Sequence, residues 1–171
     1  MRNLLLAAVG VVSASCVAVS SPTAPRDAQP GEVRFELAGP GGAAVVVPVT
    51  INGVGPIPFI LDTGATLTCL DTGLADELGL EEVRGVTAVG GTAMGTGSVK
   101  LVEVPALEVG TARADDLRAC VLDLAAIGKA GLEARGLLGL NFLKAYRFTV
   151  DFETSIVRFD PPGSAGAAPR S

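Results

Sequence analysis

Short apolar runs separated by glycine and proline are the main pattern of this chain. The run 43–51 is rich in β-branched residues, and it is followed by Asn52-Gly53, a dipeptide typical of two-residue hairpin turns. The next apolar run, 56–61, begins among prolines and ends abruptly at Asp62. This pattern predicts a hairpin whose second strand delivers Asp62 to its end.

The same pattern continues along the rest of the chain. Further strands are predicted at 33–37 (an edge strand), 67–70, 101–109 and 119–124, with a closing hairpin of 146–152 and 156–159. Apolar spacing predicts short helices at 74–80 and 141–146, whereas 125–135 is ambiguous between helix and loop. The segment 83–100 alternates β-forming residues with glycine, which favours a hairpin. Many short strands and few helices predict an all-β domain.

The two ends of the chain differ in composition from its middle. Arg2, a short apolar stretch and small residues up to Cys16 are typical of a bacterial lipoprotein signal, in which the cysteine carries the lipid. Ordinary cleavage after Ser20 and an N-terminal helix are the alternatives. The following small, polar, proline-rich segment is typical of a tether. We therefore expect an export signal, a tether, a folded domain and a disordered tail at 1–16, 17–30, 31–160 and 161–171.

Composition excludes several classes of chemistry. The chain contains no histidine, so a Ser-His-Asp or Cys-His catalytic site is impossible within it. Its three cysteines show no C-x-x-C spacing, which argues against a zinc cluster. The net charge of −5 and the lack of Lys or Arg runs give no electrostatic basis for binding nucleic acid. Catalysis would therefore use carboxylates, hydroxyls, lysine or a bound cofactor.

The segment most suggestive of chemistry is Asp62-Thr63-Gly64. It follows a hydrophobic strand and has apolar residues on both sides, so we expect its loop to be buried. A surface turn of the same composition is the alternative interpretation. A second apolar segment bounded by glycines runs from Gly136 to Gly139. The presence of both segments favours a functional loop.

Two motifs with a glycine-bearing hairpin between them resemble the bacterial retropepsin-like aspartyl proteases. The motifs are Asp62-Thr63-Gly64-Ala65-Thr66 and Gly136-Leu-Leu-Gly-Leu-Asn-Phe-Leu. The resemblance covers about 43–160, and it implies a closed, β-barrel-like half of an acid protease with one or two short helices, a flap hairpin and a C-terminal hairpin. It also implies that Asp62 is the catalytic carboxylate. Because each chain supplies one such loop, a homodimer is expected to complete the catalytic pair.

The mechanism implied by this resemblance needs no metal and no cofactor. Two carboxylates lie side by side and share one proton, because like charges about 3 Å apart cannot both ionise. The ionised group takes a proton from water, which attacks the peptide carbonyl, and the protonated group donates to the developing oxyanion. The expected substrate is a polypeptide.

The resemblance assigns supporting roles to four residues near Asp62. Thr63 hydrogen-bonds across the pair, and Gly64 permits the turn and presents its backbone N–H to the carboxylate. Ala65 keeps the loop small enough for two copies to meet. Gly139 lets the apolar strand pass tightly behind the loop.

The flap is expected at 86–99, with Gly90 and Gly91 near its tip. Gly95 and Gly97 are the alternative tip residues. Such a flap would cover an extended peptide and exclude water.

A second Asp-Thr-Gly sequence begins at Asp71, nine residues after Asp62. The two triplets are too close in the chain to be the two halves of one catalytic pair. We interpret Asp71 as the N-cap of the short helix that follows, because aspartate is favoured at that position.

The pairing state of Cys69 and Cys120 is open at this level. An exported protein meets an oxidising compartment, and a lipid on Cys16 would leave these two cysteines to form a disulfide. Both lie in apolar strands, however, where a buried free cysteine is ordinary.

These observations favour an aspartic endopeptidase of the bacterial cell envelope or periplasm, attached to the membrane through lipid on Cys16, with secretion as the alternative location. We expect it to act on polypeptides as a homodimer and not on nucleic acid. Two other functions remain open: a non-catalytic binding or assembly module on the same fold, and a structural lipoprotein of unrelated β fold. The intact Asp-Thr-Gly argues against the former, since a binding module has no need of that triplet.

Overall fold

The computed structural model describes residues 31–84, 88–92, 95–161 and 163, with 88–92 and 95–98 described by their backbone alone. The predicted signal, the tether and most of the predicted tail lie outside these residues. Within the described residues, no helix is long and apolar enough to cross a membrane.

Strands dominate the described part of the chain. They are β1 (Glu32–Arg34), β2 (Glu36–Ala38), β3 (Ala44–Ile51), β4 (Val54–Leu61), β5 (Cys69–Asp71), β6 (Ala88–Thr92), β7 (Gly95–Val109), β8 (Ala112–Leu122), β9 (Gly136–Leu138), β10 (Arg147–Asp151) and β11 (Ile156–Asp160). Three short α-helices accompany them: α1 (Thr72–Glu77), α2 (Ala125–Lys129) and α3 (Leu140–Leu143). The predicted all-β class is confirmed.

Six strands close into a barrel. The order β3-β4-β9-β5-β8-β7 forms a ring because β7 also pairs with β3. Strands β2 and β6 extend this sheet at its two ends, and β1, β11 and β10 form a separate three-stranded sheet. The predicted closed, barrel-like architecture is therefore confirmed.

One apolar core fills the barrel. Val47 and Val49 of β3 and Phe59 of β4 are fully buried, and they pack in the same cluster as Leu107 of β7 and Leu138 of β9. Fully burying an aliphatic or aromatic side chain contributes about 1.5–3 kcal/mol. This packing fixes the strands that carry the chain to and from Asp62.

The β3–β4 hairpin has the predicted turn. Asn52 and Gly53 both adopt positive φ, at 51° and 80°. Positive φ at both central residues is what a tight two-residue hairpin of the type I′ form requires, and Asn-Gly meets it at low cost. The predicted turn is confirmed, and β4 runs from it directly to Asp62.

The β6–β7 hairpin coincides with the expected flap. The last cross-strand pair that the structure describes is Thr92 with Gly95. Gly90 and Gly91 lie along β6, and Gly97 lies along β7. Gly90 and Gly91 are thus near the tip, as predicted, although both belong to the paired strand, because glycines are accommodated in strand pairing as well as in turns.

The predicted edge strand at 33–37 is two strands. Strand β1 pairs with β11, whereas β2 pairs with β3 of the barrel. Phe35, between them, is buried, and its N–H donates to Ser155 O over 3.0 Å. Phe35 is buried at the point where the chain passes from one sheet to the other. The alternation of apolar and polar residues at 33–37 does not reveal this passage.

Short helices occur where they were expected, with shifted boundaries. Helix α1 begins at Thr72, before the predicted 74, because Asp71 caps it. Helix α3 ends at Leu143, before the predicted 146, and the ambiguous segment contains α2. The closing hairpin, β10–β11, is confirmed.

Strand β9 lies between the two strands that flank the Asp62 loop. It runs parallel to β4 and antiparallel to β5. Strand β5 pairs with β9 along one edge and, in parallel, with β8 along the other. The pairing with β8 places Cys69 opposite Cys120, with their Cα atoms 4.4 Å apart. The two sulfurs form a disulfide bond, so the structure decides against the free thiols.

Candidate active site

Asp62 lies directly after β4, where the chain leaves the barrel wall. Its N–H donates to Leu138 O of β9 over 3.0 Å, so the start of the loop is tied to the sheet. The loop then turns tightly, with Ala65 N–H donating to Asp62 O over 3.3 Å. Gly64 N–H donates to the carboxylate Oδ1 over 2.8 Å. The contact expected of Gly64 is therefore present, and it orients the carboxylate.

The Asp62 loop is accessible in the single chain. Thr63, Gly64 and Thr66 are exposed, and Asp62 and Ala65 are half-buried. The expectation that the loop is buried is therefore wrong for one chain. Its apolar neighbours belong to β4 and to the chain entering β5, and the loop lies beyond the ends of both strands.

Gly139 approaches the exit of the loop so closely that no side chain fits there. A Cβ on this residue would lie 2.4 Å from the backbone C and O of Leu67 and 2.7 Å from Thr68 N. Real Cβ atoms do not approach backbone so closely. The predicted tight passage behind the loop is thus present, and only glycine permits it.

The residues after Gly139 hold the other side of the loop. Leu140 N–H donates to Ala65 O over 2.8 Å, and Asn141 N–H donates to Thr66 O over 3.1 Å. Both donors belong to the first turn of α3, whose N–H groups have no partner within the helix. The helix start therefore fixes the loop through its own free donors.

Asp71 is used differently from Asp62. Its Oδ2 accepts from Gly73 N–H over 3.1 Å at the start of α1, and its Oδ1 accepts from Leu124 N–H over 3.1 Å. Both carboxylate oxygens thus bind backbone donors. The N-cap interpretation is confirmed.

A family model described as aspartyl protease matches residues 47–142, a segment that includes β4, the Asp62 loop and Gly139. The chain belongs to the aspartyl protease family. The resemblance that its motifs indicated is therefore confirmed. No curated protein sequence matches the chain.

The solved structures that are similar to this chain include two proteases. One is a retropepsin-like aspartic protease from Rickettsia conorii, 20% identical, with a TM-score of 0.49 over 75% of this chain and 89% of that one. The other is the EIAV protease in complex with the inhibitor HBY-793, 19% identical, with a TM-score of 0.43 over 59% of this chain and 86% of that one.

Thr68 and Asn141 are site residues that the sequence analysis missed. Thr68 is fully buried, and its N–H and hydroxyl both donate to Asn141 Oδ1, over 2.7 and 2.9 Å. The same hydroxyl accepts from Gly139 N–H over 3.1 Å, and Asn141 Nδ2 donates to Arg118 O over 2.8 Å. A buried polar group is stable only when it is hydrogen-bonded in this way. The available signal was a threonine and an asparagine inside otherwise apolar runs.

An ion pair lies beside Asp71. The Arg135 guanidinium binds both carboxylate oxygens of Glu77 in α1, over 2.8 and 3.0 Å. The hydrogen bond from Arg135 is the main cause that lowers the pKa of Glu77, and burial opposes it. The backbone N–H of Arg135 donates to Pro58 O of β4, and its backbone C=O accepts from Asp71 N–H. The ion pair between Arg135 and Glu77 therefore connects α1 to the strands on either side of the loop.

The predicted site residues that the structure describes lie in two separate places. Asp62, its three neighbours in the loop and Gly139 form one unit, whereas Gly90 and Gly91 lie on the separate β6–β7 hairpin. Cys16 lies outside the described residues. Among the side chains that the structure describes, no group of three or more His, Cys, Asp or Glu is arranged to hold a metal ion.

Proposed function

We propose that this aspartyl protease is an aspartic endopeptidase whose catalytic pair consists of Asp62 from two copies of the chain. The observation that carries the proposal is the orientation of the Asp62 carboxylate on a braced, accessible loop. Gly64 N–H is its one donor within the described residues. A carboxylate has room for about four hydrogen bonds, so it retains capacity for a water and a second carboxyl group.

Several features support the requirement for a second copy. Of the two Asp-Thr-Gly carboxylates, Asp71 has a backbone N–H bound to each oxygen, whereas Asp62 has one on Oδ1 among the described residues. The exposed face of the loop includes Thr63, and Leu140, which is 38% exposed, adjoins it through Ala65. A two-fold axis beside this face brings two identical loops together. In that arrangement the Thr63 hydroxyl hydrogen-bonds to the loop of the other copy.

The proposed chemistry is acid–base catalysis by two carboxyl groups. The paired carboxyl groups share one proton. The ionised Asp62 accepts a proton from the attacking water while the water oxygen bonds to the peptide carbonyl carbon. The protonated Asp62 donates its proton to the carbonyl oxygen. The carboxyl group that took the proton from water then donates it to the amide nitrogen, and the other carboxylate takes a proton from a hydroxyl of the tetrahedral intermediate as the C–N bond breaks. The pair is restored with one proton, and one water is consumed for each bond cleaved.

The β6–β7 hairpin supports a polypeptide as the substrate. It extends from β7, which continues into the barrel wall beside β8. We propose that its arms cover an extended peptide bound across the Asp62 pair and exclude water from it.

The test of this function combines cleavage with assembly. Specific activity on an unstructured polypeptide is measured against protein concentration, beside sedimentation, and with a hydroxyethylene-type transition-state mimic. We expect activity to fall on dilution as dimers dissociate, and the mimic to block it. Adding inactive Asp62→Asn chains to wild type should lower activity more than dilution does, because mixed dimers hold one catalytic carboxylate.

Three results would contradict the proposal. An active monomer would remove the need for a second copy. Full cleavage by Asp62→Asn would remove Asp62 from the mechanism. A well-folded dimer that cleaves no polypeptide and does not bind the mimic would favour the non-catalytic binding or assembly module.

We also propose attachment to the bacterial cell envelope through lipid on Cys16, as the composition of 1–30 supports. The domain would then be held off the membrane by the tether. In a bacterial host, Cys16→Ser should move the protein from the membrane fraction to the soluble fraction. An unchanged membrane fraction, or cleavage after Ser20, would contradict the anchor.

A further inference from the structure

The Cys69–Cys120 disulfide lies beside the Asp62 loop and outside the main core. Both half-cystines are 5% exposed, and with Leu101 they form a second, smaller apolar cluster. Leu67, at the exit of the loop, and Val99, on the β7 arm of the hairpin, pack against this cluster. The disulfide thus lies in a cluster that contacts both the exit of the Asp62 loop and the β6–β7 hairpin.

The strand that leaves the loop is short. Strand β5 has three residues, three register pairs with β8 and two with β9. Few backbone hydrogen bonds therefore hold β5 to its two neighbours in the barrel. A covalent bond from its first residue to β8 adds a constraint that does not depend on them.

Thr68 connects this strand to the loop support. Its C=O accepts from Cys120 N–H over 2.9 Å, and its hydroxyl accepts from Gly139 N–H over 3.1 Å. The next residue, Cys69, is bonded to Cys120. Thr68 is thus held to β8 by one direct hydrogen bond, by Asn141, whose amide donates to Arg118 O, and by the adjacent disulfide.

We propose that the Cys69–Cys120 disulfide is a positioning element of the active site. It anchors Thr68 and β5 to β8, so that the two Asp62 loops meet in productive geometry only while the bond is closed. This inference rests on the proposed endopeptidase function for its activity readout. Opening the bond takes two electrons and two protons, breaks S–S and forms two thiols; a dithiol supplies them and becomes a cyclic disulfide.

The experiment uses the full chain in three forms: oxidised, reduced with the dithiol dithiothreitol, and the variant Cys69→Val/Cys120→Ala, which keeps the site apolar. The forms are compared at a temperature where all are folded. The measurements are kcat and KM on one peptide, sedimentation at the assay concentration, and hydrogen exchange of single amides. The informative amides are those of Thr68, Cys120, Leu140 and Asn141.

We expect kcat to fall about 10- to 100-fold when the bond is absent, with KM changed less and the dimer intact, because small misplacements of catalytic groups cost this much. The four amides should exchange faster, whereas those of β10–β11 should not change. Dithiothreitol should have no effect on the variant. Reoxidation should restore the wild-type rate.

A merely structural bond gives different results. Equal kcat per folded dimer in all three forms, with only the melting temperature lowered, overturns the proposal. Recovery of the reduced enzyme at higher protein concentration also overturns it, because the bond would then act on dimer formation. If even the oxidised chain cleaves nothing, the proposed function fails, and the four amides still decide: faster exchange supports the anchor and unchanged exchange overturns it.

Discussion

The chain contains the triplet Asp-Thr-Gly twice, and the two copies have different surroundings. In the first, Asp62 directly follows the eight-residue strand β4, and Gly64 N–H donates to one of its carboxylate oxygens. In the second, Asp71 ends the three-residue strand β5 and starts a helix, and its two oxygens bind Gly73 and Leu124 N–H groups. The same local bond to the glycine occurs in both, so the triplet itself does not separate them.

The difference comes from what meets each triplet in space. The first has Gly139 and the start of α3 behind it, which brace the loop without using the carboxylate. In the second, Leu124 N–H donates to the carboxylate in addition to Gly73 N–H, so each oxygen of Asp71 holds a backbone group in place. A catalytic carboxylate needs a supported backbone and oxygens that do not hold other parts of the fold in place. Of the two aspartates, Asp62 meets both conditions.

The largest effect should come from the same substitution made at both sites. Asp62→Asn is expected to lower kcat/KM by about 10²- to 10⁴-fold, since it removes a proton-transfer group, and to leave the fold intact. Asp71→Asn should retain activity, because asparagine is also a good N-cap. Peptide cleavage and melting temperature measured on both variants test this. Equal losses of activity would show that the two triplets do not differ as described.

A smaller effect should come from the support of the first triplet. Gly139→Ala places a methyl group 2.4 Å from the Leu67 backbone, so part of the loop has to shift. The φ of Gly139 is −95°, an ordinary value, so the cost is steric. We expect a loss of about 1–3 kcal/mol in the free energy of unfolding, together with a loss of activity.

Gly128→Ala is the matched control for that variant. A Cβ on Gly128 meets nothing within 4 Å, and the residue lies in α2. In a helix, alanine is favoured over glycine by up to about 1 kcal/mol, so stability should rise or stay constant. Denaturant unfolding of both variants decides whether close approach at Gly139 is the cause.

Removing the cap from the second triplet should affect stability and leave chemistry unchanged. Asp71→Ala leaves Gly73 and Leu124 N–H groups without their acceptor. Loss of an N-cap costs about 0.5–2 kcal/mol. Urea unfolding should show the loss, while the kcat of the folded enzyme stays near that of wild type. A large fall in kcat with normal stability would assign Asp71 a part in catalysis.

The smallest effect is expected at Glu77, beside the second triplet. Arg135 lowers the pKa of Glu77 below its usual 4.5, so the ion pair stabilises the fold above that value. The contribution is lost as pH falls through the lowered pKa. Wild type should therefore be slightly more stable than Glu77→Gln at neutral pH, and the two should converge in acid.

Glu133→Gln is the control for that comparison, because Glu133 is exposed and forms no ion pair among the described residues. It removes one carboxylate from the same part of the chain without removing the contact to Arg135, and its thermal unfolding is measured at the same pH values. A constant difference between Glu77→Gln and wild type at every pH would mean that the ion pair is not its origin.

Much of the fold was predictable because it depends on local chemistry. Asn52-Gly53 specifies its turn through the φ values that these residues tolerate. Apolar runs of strand length specify β3 and β4, and a capping aspartate specifies the start of α1. The crossing at Phe35 was not predictable, since β1 pairs with β11, which is distant in the chain, whereas β2 pairs with β3.

The candidate site divides in the same way. The sequence by itself determined that no histidine of this chain can take part in chemistry, that Asp62 follows an apolar run, and that a glycine-bounded apolar segment lies at 136–139. Only the tertiary structure decided that Gly139 fits against Leu67, that Thr68 and Asn141 brace the loop, and that Cys69 pairs with Cys120. The physical reason is that hydrophobic patterns and turn preferences act over a few neighbouring residues. Close approach, buried hydrogen bonds and disulfide geometry depend instead on positions that folding brings together.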